Sequence, residues 1–293
     1  MNNKKNCIIC NNNKFVIAFP FNTFFNNKLF LYKKCTKCSF VKISPKPNSK
    51  DLKKMYDNKS YHQEFYTHSE HNEYEASAIY LKKYIKNNSI ILDYGCGYGH
   101  FIKKIPKKHT FYGVEYNPEV VNFLNKKNKK ANFLTVKNFK KKKLFYFFDA
   151  VCLADVLEHV TDPIDLLLDL DKNIKKGGFF FIEGPIERNI SLVNYFAITF
   201  GYLKKFFIRN YRNTFIPFHL YYCDINTQNL MLKKLKNYKI IDIQVYESGW
   251  PYYNGGIIKK IIAYTAILIS KANFLGFKFG NRFRIILKKN ESK

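Results

Sequence analysis

Four of the seven cysteines stand in two Cys-x-x-Cys pairs, Cys7/Cys10 and Cys35/Cys38. Two such knuckles, each followed by a β-prone segment, bring four thiolates to tetrahedral geometry around Zn²⁺. Four protein ligands close the coordination shell, so a metal held there is structural rather than catalytic. Rubredoxin-type iron uses the same donors; a redox disulfide fits a cytosolic chain less well. A second constellation is Asp93-Tyr94-Gly95-Cys96-Gly97-Tyr98-Gly99, which follows the apolar run Ile90–Asp93 and precedes a helical pattern from His100. Glycines at this spacing let the backbone turn sharply and approach a ligand closely. Glu115 ends the next strand, 16 residues after Gly99. A carboxylate there accepts hydrogen bonds from both ribose hydroxyls of a nucleoside cofactor. A dinucleotide fingerprint needs a further glycine inside the helix. Phe101 occupies the corresponding place, which argues against NAD.

These residues need a frame. From Ser89 onward short apolar runs alternate with helical patterns, the signature of a parallel sheet with helices on both faces. Strands are expected at Ile90–Asp93, Thr110–Glu115, Asn132–Val136, Phe148–Leu153, Phe179–Glu183, Lys239–Tyr246 and Arg282–Leu287. Helices are expected from His100, over Pro118–Asn128, over Pro163–Ile174 with Gly177-Gly178 as its close, and over Thr227–Lys236. Two partly apolar inserts interrupt the alternation, at about 186–222 and 250–280. In the first, Leu192, Phe196, Phe200, Leu203 and Phe207 recur at helical spacing. Ahead of the sheet, residues 1–45 form the cysteine unit, and 46–88 read as a helical linker with an amphipathic helix over Tyr74–Ile85.

The four-motif order carries a family resemblance. ILDYGCGYGHF is similar to the first motif of the class I methyltransferases, and YGVEYNP to their second. FDAVCLADVLEHVTDP resembles the fourth-strand segment of their small-molecule branch, and KKGGFFFIEGP the turn and fifth strand beyond it. FHLYYCDINTQNLMLKKL resembles a segment of the same branch. The resemblance covers residues 75–290. It implies an α/β fold: a Rossmann-like seven-stranded sheet with the last strand antiparallel, preceded here by a zinc ribbon and carrying helical inserts. It implies S-adenosylmethionine as methyl donor. Asp93, Gly95, Cys96, Gly97 and Gly99 would lie against the methionine part, Glu115 would bind ribose, and Asn138 and Asp155 complete the cofactor set. Asn138 departs from the pattern, because Lys140–Lys143 surround it.

Methyl transfer asks for an aligned nucleophile and, for a hydroxyl, a group to take its proton. Glu158, His159 and His219 are the candidate catalytic residues. The LEHV segment also has a structural reading, with His159 capping a backbone group and Glu158 pairing locally. The remaining histidines (His62, His68, His71, His100, His109) are expected at the surface.

Lys and Arg number 50 against 22 Asp and Glu, a formal charge of +28. That suits a phosphate-bearing partner, although Lys, Asn, Ile, Phe and Tyr are jointly abundant, as AT-rich codons would make them. Chains that couple a zinc ribbon to this branch resemble sugar methyltransferases of surface-glycan pathways. The expected acceptor is therefore a nucleotide-linked or lipid-linked sugar. Carbon methylation is disfavoured because the further C-terminal domain of sugar C-methyltransferases is missing. Zinc-ribbon ribosomal RNA methyltransferases offer the alternative, with a nucleic acid partner, and a non-catalytic interaction module is a third. No apolar run follows Met1, so a cytoplasmic location is expected. The inserts at 189–208 and 256–270 read as a lid, a dimer face or a peripheral contact with the inner face of a membrane.

Overall fold

The computed structural model describes residues 6–18, 20–56, 72–128, 131–271 and 278–291. Its first sheet is built near the N-terminus from β1 (Phe15–Ile17), β2 (Thr23–Phe25), β3 (Lys28–Cys35) and β4 (Val41–Ser44). The main sheet follows, from β5 (Ile90–Tyr94), β6 (Thr110–Glu115), β7 (Asn132–Thr135), β8 (Phe148–Ala154) and β9 (Ile174–Pro185). After the short β10 (Tyr221–Tyr222) it is completed by β11 (Tyr238–Tyr246) and β12 (Arg282–Lys289). The main sheet runs β11-β12-β9-β8-β5-β6-β7. β5 to β9 pair in parallel, and β12 is antiparallel to both of its neighbours. This is the seven-stranded α/β arrangement that the motif order implies, with the last strand reversed.

Parallel strands covered on both faces should be nearly all apolar, and apart from Asp149 β8 is: Phe148, Ala150, Val151, Cys152 and Leu153 are all fully buried. One face joins Val151, Leu153, Phe180 and Ile285; the other joins Ile91, Ala150, Cys152 and Phe181. Helix starts follow their caps. Asn117 accepts from the Glu119 amide at 2.9 Å with Pro118 in the first turn, and Ser191 accepts from the Asn194 amide at 3.2 Å. Such caps satisfy amides that the helix itself leaves unpaired.

Several boundaries differ from the periodicity. The helix from Pro163 stops at Asp171, and β9 already begins at Ile174. Gly177-Gly178 therefore does not close a helix. It lies in a bulge of β9, where the pairing jumps from Phe148↔Ile174 to Ala150↔Phe179 and Gly177 takes φ +70°. Val136–Lys142, with its run of lysines, is a helix capped by Thr135. His109 is not at the surface: it is 6% exposed and its Nδ1 accepts from the Ser89 amide at 3.2 Å. His62, His68 and His71 lie outside the described residues.

The N-terminal sheet does not stand alone. β10, from the end of the first insert, pairs antiparallel with β4 through Tyr221↔Lys42 and Tyr222↔Val41. Cys7, Ile9, Cys35 and Phe40 share one core with Val151, Phe180, Tyr221 and Ile225. The insert's helix Leu192–Phe207 packs on Ile257–Lys271 through Val193, Ile262, Ala263 and Ala266. Their outer faces leave Phe206, Phe207, Ile257 and Ile258 exposed. No helix among the described residues is long and apolar enough to cross a membrane.

Candidate functional site

At the C-terminal end of β5 the chain turns through Gly95 (φ +82°), Gly97 (φ +48°) and Gly99 (φ +71°). Gly95 is enforced twice. Its φ disfavours any side chain, and an added Cβ would sit 2.6 Å from Val156 Cγ2. Gly113, on β6, is enforced by space alone, since its Cβ would fall 2.5 Å from Phe133 and 2.8 Å from Cys96 Sγ. That close approach lets the buried Cys96 thiol sit behind the loop. Glu115 ties loop to strand. One carboxylate oxygen accepts from the Gly97 amide at 3.0 Å, and the other from the Tyr116 and Asn117 amides at 2.8 and 3.1 Å. Beneath the loop Asp93 is 3% exposed, and its Oδ2 has no hydrogen-bond partner.

A second group of side chains gathers past β8 and β9. Leu157–His159 is a single 3₁₀ turn. Glu158 is buried with Oε1 unpartnered. His159 Nδ1 lies 3.0 Å from the Phe218 carbonyl and 3.3 Å from the Tyr56 hydroxyl, so the backbone-capping role does hold for that nitrogen. Its Nε2 is 3.8 Å from Glu158 Oε1. His219 Nδ1 is hydrogen-bonded to Glu187, and the two imidazoles stand edge to face at 5.1 Å. Burial, and next the charge of Asp155, pushes the Glu158 carboxyl up. Burial, then His219, pulls His159 down. Burial lowers His219 as well, but Glu187 outweighs it and lifts the imidazole to about 9. The cluster thus couples a proton-retaining carboxyl, a neutral imidazole and a strongly basic one.

Residues 66–206 match the family described as a methyltransferase domain. Among curated proteins, the chain is 30% identical over 112 residues to a tRNA U34 carboxymethyltransferase of Campylobacter fetus, covering 35% of this chain and 39% of that one. It is 31% identical over 109 residues to a mitochondrial ubiquinone biosynthesis O-methyltransferase of Dictyostelium discoideum, covering 32% and 34%. The chain thus spans about two fifths or less of the length of those relatives. Among solved structures, an S-adenosylmethionine-dependent methyltransferase of Archaeoglobus fulgidus superposes with a TM-score of 0.53 at 19% identity, covering 79% of this chain and 100% of that one. A protein of Pyrococcus horikoshii does so at 0.52 and 14%, covering 80% and 100%. The chain thus has the Rossmann-like α/β methyltransferase fold, and its match to a methyltransferase domain spans residues 66–206.

The residues singled out from the sequence separate into three places. Asp93, Gly95, Cys96, Gly97, Gly99 and Glu115 form one continuous cradle at the ends of β5 and β6. Asn138 stands apart in the first turn after β7, exposed, with its amide donating to Thr135 Oγ1. Asp155, just past β8, adopts φ +53° and is clasped by Arg282 Nη2 at 2.7 and 2.8 Å. The four ribbon cysteines are the third place. Cys7 and Cys38 Sγ are 3.5 Å apart, Cys10 and Cys35 Sγ likewise, and all four sulfurs lie within 4.8 Å of one another.

Several residues of the histidine cluster escape sequence reasoning. Glu187, Tyr56 and Tyr32 are the chief ones, the last donating to the His219 carbonyl at 2.5 Å. Glu187 had a usable signal: it stands two residues past β9, where open parallel sheets place their ligands. The two tyrosines had none, because their role depends on the ribbon and the helix after it packing over the end of the sheet. Arg282 and Arg284 on β12 flank the buried Glu183 of β9, at 3.8 and 3.1 Å. A buried carboxylate between two guanidinium groups fixes the register of the reversed strand through charge pairing.

Proposed function

We propose that the protein transfers a methyl group from S-adenosylmethionine to a hydroxyl of a small-molecule acceptor, a sugar of a nucleotide-linked or lipid-linked glycan. The observation that carries the donor half is the unpartnered Asp93 carboxylate under the glycine cradle, with Glu115 beside it. When bound, the donor supplies an electrophilic methyl on a sulfonium that leaves as a neutral thioether. The residues fit it. Asp93 offers a buried anion to an ammonium group, and Glu115 offers its remaining lone pairs to ribose hydroxyls.

The acceptor side is read at Glu158, His159, His219 and Glu187, roofed by Tyr32 of the ribbon and Tyr56 of the helix that follows it. These polar groups bind the acceptor oxygen and compensate its charge as its proton leaves. The Cys7, Cys10, Cys35 and Cys38 tetrad holds Zn²⁺, whose tetrahedral bonds of about 2.3 Å place sulfurs roughly 3.8 Å apart, close to the separations found. Lys204, Lys205, Lys259 and Lys260 beside the exposed apolar helix faces support a lipid-linked acceptor met at an anionic surface. A radiolabelled methyl-acceptor screen tests the reading. Transfer to nucleotide sugars or glycolipids is expected; transfer to a structured RNA with none to any glycan would sink it.

Asp93 gives the donor half a pH signature. Its carboxyl is pushed up to about 7 by burial and then by the Glu115 charge. The other titratable groups facing it, the Cys96 and Cys152 thiols, are themselves pushed well up by burial and stay neutral. An acid whose folded value exceeds its unfolded one binds its proton more tightly when folded. Its contribution to stability therefore falls as pH rises from about 4 to about 7. A bound ammonium reverses the preference. Cofactor affinity, measured by calorimetry, should rise with pH through about 7 and flatten above it. Asp93→Asn should remove that dependence; a dependence unchanged in the variant would detach Asp93 from the ammonium.

A further inference from the structure

The acceptor-side cluster has the build of a cation site. One ring nitrogen each of His159 and His219 and a carboxylate oxygen of Glu158 lie within 4.8 Å of one another. Two imidazoles and one carboxylate are a recurrent donor set for divalent first-row metals. The groups behind these donors matter as much. Histidines that bind metals donate their other ring N–H to a carboxylate or a backbone carbonyl, which fixes tautomer and orientation. Both imidazoles here have that arrangement. His219 Nδ1 is held by Glu187, and His159 Nδ1 by the Phe218 carbonyl at 3.0 Å. The His159 nitrogen on the other side, Nε2, is the one 3.8 Å from Glu158 Oε1.

The independent observation is Glu158 itself. It is 4% exposed, and Oε1 has no hydrogen-bond partner. A buried carboxylate oxygen left unpaired is costly, and buried charges are ordinarily paired or coordinated to a metal. Asp155 and Glu187 add negative charge around it, which His219 offsets in part. Local hydrogen bonding inside the protein does not relieve this; a cation would.

We infer that Glu158, His159 and His219 bind one divalent transition-metal cation on the acceptor side of the site, with Glu187 and the Phe218 carbonyl orienting the two imidazoles. Metal–ligand bonds of about 2.0–2.2 Å place neighbouring ligand atoms roughly 3.0–3.6 Å apart, so the three donors would close by on the order of 1 Å. The donor set contains no sulfur, which separates this site chemically from the cysteine tetrad. A cation there binds the acceptor oxygen directly and eases loss of its proton. That consequence rests on the methyl-transfer reading above; the cation site does not.

The test uses the full-length, zinc-replete protein titrated with Mn²⁺, the unbound ion being read by its electron paramagnetic resonance. Mn²⁺ favours oxygen and imidazole over thiolate and so reports this site and not the ribbon. Saturation near one Mn²⁺ per chain is expected. Glu187→Gln, which keeps shape and leaves all three ligands in place, should weaken binding about 10–100-fold. Glu158→Gln and His219→Gln should weaken it further. Zinc content and thermal melting of each variant confirm that ribbon and fold persist. Absence of Mn²⁺ binding, or binding unaffected by all three substitutions in folded protein, overturns the site. Mn²⁺ bound as expected by a protein that methylates no glycan keeps the cation site and removes the acceptor reading.

Discussion

Replacing Cys35 by Ser should abolish methyl transfer while leaving cofactor affinity within roughly threefold of wild type. Cys35 is fully buried, and its thiol is drawn down to about 6. Burial opposes that shift, but the Asn12 side chain and the Cys38 and Lys37 amides outweigh it. Loss of one ligand opens the tetrad. Structural zinc contributes on the order of 10–16 kcal/mol in comparable peptides, which exceeds what a unit this small draws from its own core. The damage should spread in one direction only. The ribbon shares its core with β8, β9 and the segment Tyr221–Ile225, and it supplies Tyr32 to the histidine cluster, while the helix that follows it, Ser49–Tyr56, supplies Tyr56. The cradle of Asp93–Gly99 rests largely on Gly113, Phe133 and Leu124, although Val156, against Gly95, belongs to the core shared with the ribbon. Calorimetry with S-adenosylmethionine, run beside a transfer assay and a melt, separates the two halves. A melting point lower by on the order of 10 °C is expected. Equal loss of donor binding would show that the halves are one cooperative unit, and unchanged transfer would remove the ribbon from the acceptor site.

Glu115→Ala should act in the opposite half. The carboxylate organises three backbone amides and is the proposed ribose acceptor. Hydrogen bonds to a charged group contribute about 1.5–3 kcal/mol each. Losing two to the cofactor, together with the tie to Gly97, should weaken binding by about 100-fold or more. Glu115→Asp should fall between, because the shorter side chain keeps the charge but not the reach to Gly97. The ribbon's zinc content should stay constant across both variants. An affinity unaltered in Glu115→Ala would mean that ribose is held elsewhere.

How much of this was readable from residues alone depends on how local the determining physics is. The cradle was fully readable, because a glycine-rich turn between an apolar strand and a helix is written in seven consecutive residues. The sheet was readable for the same reason, strand by strand, and β8 announced its burial on both faces by being nearly all apolar. The helix ending was misjudged because Gly177-Gly178 serves equally as a helix stop or a bulge, and only the pairing with β8 decides. The acceptor side was half readable. Glu158, His159 and His219 stood out by residue type, whereas Glu187 and Tyr56 matter only because the chain brings residues 56, 159, 187 and 219 together. His109 was misplaced since one buried hydrogen bond, to the Ser89 amide, is invisible to periodicity.

The pairing of β4 with β10 has a consequence during synthesis. A chain leaving the ribosome presents the four cysteines before the main sheet, and on the zinc reading proposed above they gather metal once Cys38 has emerged. The edge of β4 must then wait for Tyr221 and Tyr222, some 180 residues later. Through that interval Val41–Ser44 offers unpaired amides and carbonyls to any neighbouring strand, including those of other nascent chains. Early metal capture would hold the young ribbon in a shape that only its own late-arriving segment completes. Shortage of zinc during translation should thus reveal itself as aggregation, before any loss of activity in the molecules that do finish folding.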